Sequence, residues 1–163
     1  MAVARKKKRR KKATTRYDRT VLDPLIAAAR RGDCHAILGV SPGTNLAKAL
    51  ADPPEWGDGS YEKLLALYIA RTRPDGRAGR ELDSVIYNFA EHTFFRYDDE
   101  GYCLSQVNCD LAGLYATHPD LLDEKCALDY LEAALEGPYP AGVKQDLAAV
   151  LPAKSALRKR LAR

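Results

Sequence analysis

A chain of 163 residues is the length of one ordinary domain, and its 46% hydrophobic content supplies one core and argues against a disordered chain. No run of about 18 apolar residues occurs, so no membrane-spanning helix is expected, and the charged stretch near the N-terminus lacks the apolar segment of a secretory signal. The formal net charge of +4 hides a segregation: residues 1–16 hold nine Lys/Arg and no acid, residues 17–153 hold 12 Lys/Arg against 22 Asp/Glu, and residues 154–163 hold five Lys/Arg and no acid.

The elements are predicted as follows. Residues 1–16 form a polybasic arm whose core is the run Arg5-Lys6-Lys7-Lys8-Arg9-Arg10-Lys11-Lys12, with Arg16 beyond it. Neighbouring like charges repel and bury nothing, so the arm is expected to be disordered when free. A short helix follows, capped by Asp23 with Pro24 in its first turn and ended by Gly32. Cys34 to Val40 is an apolar run readable as a helical turn or a lone strand. Asn45 caps a short helix over Leu46 to Ala51, and Trp56 lies in the loop after it. Ser60 caps a helix ending near Thr72, with Leu64, Leu65, Leu67, Tyr68 and Ile69 around most of its circumference.

The longest element is predicted from about Arg80 to Tyr97, with Leu82, Val85, Ile86, Phe89 and Thr93 at helical spacing and Phe94 and Phe95 broadening the face. Asp98-Asp99-Glu100-Gly101 breaks the chain before a helix over Tyr102 to Ala116, which carries Leu104, Val107, Leu111, Leu114 and Tyr115 on one side. Thr117-His118-Pro119 starts the next helix and Gly137-Pro138 ends it. Ala141 to Arg163 reads as two helical pieces hinged at Pro152. β-branched residues are sparse and few segments alternate with period two. The expected fold is all-α: one compact bundle of about six to eight helices, organised as a basic arm (1–16), an acidic helical domain (17–153) and a basic C-terminal helix (154–163).

The arm carries the strongest chemical signal. Dense cationic charge matches a phosphate backbone, because each neutralised phosphate releases condensed counterions without any reading of sequence. A nuclear localisation signal, an anionic-lipid patch and a solvated tail are the competing readings. A second cluster, Arg71, Arg73, Arg77 and Arg80 around Gly76 and Gly79, offers guanidinium forks to phosphate, though arginines in an exposed loop also pair with an acidic body. In the C-terminal segment, Arg158, Lys159 and Arg160 flank an apolar stripe of only Leu157 and Leu161. Nine tyrosines invite base stacking, but only Tyr17, Trp56 and Tyr139 read as loop-placed aromatics.

Catalytic and metal signals are weak. Cys103, Cys109, His118 and Cys126 lack the two-to-four-residue pairing of structural zinc sites, and no cysteine pair forms C-x-x-C. With no secretion signal, the cysteines read as reduced thiols filling a core, in a cytoplasmic protein or one held in nucleus or nucleoid. Asp98, Asp99 and Glu100 are the only candidate magnesium ligands, and a carboxylate-rich turn is normally just solvated. The expectation is a non-enzymatic accessory protein of a larger nucleoprotein complex, with nucleic acid (RNA or DNA) and protein as partners, no cofactor and no metal. A protein-interaction module with an address or solvated tail is the alternative.

Overall fold

A computed structural model describes residues 17–51, 59–72, 79–91, 100–137 and 139–163; the side chains of 79–81 and 100–105 are not described. The arm, Trp56, Arg73, Arg77, Thr93, Phe94, Phe95, Asp98 and Asp99 lie outside the described residues, as do the side chains of Arg80, Glu100, Cys103 and Leu104. Among the described residues the fold is all helical, with no strand. The order is α1 (Arg19–Arg31), α2 (Cys34–Leu38), α3 (Leu46–Ala51), α4 (Ser60–Arg71), α5 (Gly79–Ala90), α6 (Glu100–Thr117), α7 (Glu124–Glu136), α8 (Pro140–Val150) and α9 (Ala156–Leu161). Three of these, α2, α3 and α9, are turns of five or six residues, which leaves six longer helices. No described helix is long and apolar enough to cross a membrane.

Local chemistry explains most boundaries. Helix α1 starts five residues earlier than its Pro24 suggested, because Asp18 caps it: one carboxylate oxygen accepts from the Thr20 amide at 2.8 Å and from the Thr20 hydroxyl at 2.6 Å. Those bonds hold the Asp18 carboxyl below the ordinary carboxylate range. Pro24 therefore sits inside the helix, exposed, where water can replace the amide it cannot supply. Gly32 ends α1 at φ 68°, and the Asp33 amide reaches back to the Ala28 carbonyl at 3.0 Å, so the last turn closes on a left-handed residue. Asp33 in turn caps α2, which resolves the apolar run 34–40 as helix. Asn45 accepts from the Lys48 amide at 3.1 Å, as expected of a cap.

Other starts differ from expectation. Gly59, not Ser60, is the cap of α4: it adopts φ 87°, and a Cβ there would lie 2.8 Å from Val21 Cγ1, so only glycine allows α4 to begin this close to α1. Glu100 and Gly101 are the first turn of α6, an 18-residue helix, rather than a break; of the helix expected over 80–97 the described part is α5, and 92–97 lie outside the described residues. Helix α7 begins at Glu124 rather than at Pro119. Asp123 caps it by accepting from the Cys126 amide at 2.7 Å, while α6 runs on through Thr117 and leaves 118–122 as a turn. Pro140 opens α8, and α9 follows after the Pro152 break, as expected.

Packing divides at α6. One core gathers Leu22 and Ile26 of α1, Ile37 of α2, Leu64, Leu65, Leu67 and Ile69 of α4, Leu82, Ile86 and Phe89 of α5, and Val107, Leu111 and Leu114 of α6. The second lies on another face of α6, at Cys109 and Ala112, against Ala127, Leu131 and Ala134 of α7, Val143 and Leu147 of α8, and Leu157 and Leu161 of α9. A helix buried on two faces has no broad polar side, which fits the run Leu111 to Ala116, free of charged residues. The most extensive helix contacts are α6 on α7 and α1 on α4.

Candidate nucleic-acid interface

The arm joins the body at Tyr17, and that junction is firmly held. Tyr17 is not a loop aromatic available for stacking: it is 9% exposed, in the first core. Burial pushes its hydroxyl up to about 12. The next amide, Asp18, donates to Glu62 Oε1 at 2.6 Å. Glu62 is buried at the start of α4, so it supplies an acceptor to the N-terminus of α1 from another helix.

Tyr17 lines a cleft of about 140 Å³ between α6 and α8. Asp110 lies in its wall, buried, and accepts from the Tyr61 hydroxyl at 2.6 Å and the Gln106 amide at 3.2 Å. Leu147 and Val150 of α8 form the apolar side, and Asp146 and Arg19 stand exposed at its edge. Neither buried acid was singled out from the sequence. The signal was present: Glu62 stands in the first turn of α4 just before the apolar run Leu64 to Ala70, and Asp110 sits between the buried Cys109 and Leu111.

Among the described residues, Arg19, Arg30, Arg31 and Arg71 of the body face its own acids. Arg30 pairs with Asp120, Arg31 with Asp33 at 3.9 Å, and Arg19 with Asp23 at 3.7 Å while donating to His118 Nε2 at 3.1 Å. Arg71, the described member of the arginine loop cluster, pairs with Asp83 and hydrogen-bonds Tyr130, whose buried hydroxyl is pushed up to about 12. It is thereby drawn across α4, α5 and α7. Each of these ion pairs is about half exposed, so each is worth about 1 kcal/mol or less.

In the C-terminal segment, Leu157 and Leu161 are buried and seat α9 on the second core. Arg158 donates to the Leu151 carbonyl at 2.9 Å, which satisfies a carbonyl at the end of α8. Arg160 places two donors, at 3.1 and 2.7 Å, on one oxygen of Glu132 in α7. Lys154, Lys159 and Arg163 are exposed. Of the three residues singled out there, Lys159 thus projects to solvent, and the two arginines also brace the fold.

No group of three or more potential metal ligands occurs among the described residues. Cys34, Cys109 and Cys126 are thiols outside any disulfide, and burial pushes those of Cys34 and Cys126 up, away from the reactive thiolate. Beside Cys34, His35 Nε2 bonds with the Thr44 carbonyl at 2.9 Å. Compared with known proteins, the chain matches no family model, no curated protein and no solved structure.

Proposed function

We propose that the protein is a non-enzymatic nucleic-acid-binding accessory subunit of a larger nucleoprotein complex, gripping the phosphate backbone through Arg5–Lys12 and meeting protein through its acidic helical body. The observation that carries this reading is the segregation of charge: nine cations and no acid in residues 1–16, on a body of net charge −10. A duplex lying flat on such a body would meet repulsion, whereas the cations of Arg5–Lys12 attract it. The pairing of Arg19, Arg30, Arg31 and Arg71 with acids of the body supports the same division of labour. Backbone grip of this kind reads little sequence.

The alternative, a protein-interaction module with a basic address, draws support from α7, where the exposed Asp129, Glu132 and Glu136 recur at helical spacing.

Fluorescence anisotropy with labelled RNA and DNA across a salt series tests the proposal, comparing the full chain with a form in which Arg5–Lys12 are replaced by glutamine. Eight neutralised phosphates correspond to a log–log slope of about −7 on duplex or about −6 on single strands. Loss of most of that slope on neutralising the arm is expected. Equal binding by both forms, or no binding at moderate salt, would leave the arm an address or a solvated tail.

A further inference from the structure

A cavity of about 500 Å³ opens between α5 and the segment that runs from α2 through the turn 41–45 into α3. Its size is that of a small-molecule pocket. Leu46, Leu50 and Val85 give it apolar walls, and His35, Ser84 and Asn88 add polar groups. No Asp, Glu, Lys or Arg is among its described lining residues, in a chain that is 29% charged. A charged ligand would therefore lose its hydration and find no described opposite charge in return. The frame is held in place: His35 Nε2 donates to the Thr44 carbonyl at 2.9 Å, and Asn45 caps α3. A carbonyl only accepts, so the proton sits on Nε2, and neutral His35 keeps Nδ1 as an acceptor. Asn88 is the member that the fold does not explain. It stands half-buried within α5, where asparagine is a poor helix former, and its amide makes no hydrogen bond among the described residues.

We infer that this cavity is a binding site for one neutral nucleobase, read by Asn88. A flat heterocycle has two apolar faces and a hydrogen-bonding rim. The lining offers the same division: Leu46, Leu50 and Val85 for the faces, and His35, Ser84 and Asn88 for the rim. The Asn88 carboxamide holds a donor and an acceptor side by side. Its N–H donates to N7 of adenine while its oxygen accepts from the 6-amino group, whereas guanine presents two acceptors at that edge. A sugar would need polar groups on every side, and an aliphatic ligand would leave Asn88 unpaired. The base arrives either as a free nucleoside or unstacked from a single strand, with the same chemistry of recognition. Recognition of a base here is independent of what the basic arm grips.

Isothermal titration of the full chain with adenosine, guanosine, cytidine and uridine tests this, because nucleosides carry no phosphate and release no counterions on binding. Adenosine is expected to bind tightest, independently of salt, with a Kd on the order of 0.1 mM for a ligand of its size. Asn88→Leu keeps the bulk of the side chain and removes both hydrogen bonds, so adenosine should bind about tenfold more weakly while thermal unfolding is not lowered. Asn88→Asp keeps the shape but exchanges the donor for an acceptor. It should move the preference from adenosine to cytidine, whose amino group a carboxylate accepts. Neutralising Arg5–Lys12 should leave adenosine binding unchanged, so failure of the arm reading shows as equal salt slopes and not here. A single strand of about 12 adenines that displaces adenosine assigns the site to bases of a strand, and one that does not assigns it to the free nucleoside. No binding of any nucleoside at about 1 mM, or affinities that both Asn88 variants leave unchanged, overturns the base pocket and leaves the arm reading standing.

Discussion

The two cores on either face of α6 are built from different materials. The first draws large side chains from α1, α2, α4, α5 and α6 and contains Phe89 and four isoleucines among its buried residues. The second has no aromatic and no isoleucine among its buried residues: it is alanine, cysteine, valine and leucine, with Ala112, Ala127 and Ala134 where α6 meets α7. Small residues let helices approach closely but bury less apolar area per residue. The first core therefore carries more of the hydrophobic stabilisation, and the second serves to mount α8 and α9 on α6 and α7.

The contrast is sharpest under truncation. Phe89→Ala removes a fully buried ring from the first core and is expected to cost about 3–5 kcal/mol, read as a loss of global stability by denaturant unfolding. Leu157→Ala removes a fully buried leucine from the second core, where it seats a six-residue helix. Its global cost is expected to be smaller, about 2–3 kcal/mol, because α9 can detach before the rest unfolds. Hydrogen exchange should show amides of 156–161 losing protection while those of α4 keep it. Equal global losses from the two substitutions would mean one cooperative core rather than two.

The seam between the cores gives a smaller and pH-dependent effect. Tyr130 comes from α7 but packs on the first core, edge-on to Tyr68 with ring centroids 6.3 Å apart, and Tyr17 lines the cleft between α6 and α8. Burial raises both hydroxyls from about 10 to about 12. A raised folded-state value means that this stability is complete below about 10 and is lost as pH climbs through about 12. Alkaline titration followed by phenolate absorbance should show two tyrosines ionising late, together with loss of tertiary structure. Tyr130→Phe, Tyr17→Phe should remove that late step and reduce the alkaline destabilisation. Ionisation of all tyrosines near 10 with the fold intact would place neither ring in a sealed seam.

Much of the fold was legible because helical periodicity is a local property. The stripe Leu82, Val85, Ile86, Phe89 is buried as its spacing required, and the crowded circumference of 64–70 is buried almost throughout. Helix starts were less legible where two carboxylates competed for one role. Asp18 and Asp23 both precede the apolar stretch of α1, and the choice fell to Asp18 because Thr20 and Glu62 complete its hydrogen bonds, one of them from 44 residues away. Tyr17 read as a loop aromatic for the same kind of reason, since its surroundings come from α6 and α8.

Sequence alone determined the all-helical class and the charge segregation, because periodicity and ionisation belong to each segment whatever it packs against. It also determined that Leu157 and Leu161 share a stripe. Tertiary structure decided which charges are engaged within the body, since Arg71, Arg158 and Arg160 find their partners across distances that no local pattern reports. It also decided that α6 serves two cores, because only packing sets which faces of a helix meet which neighbours.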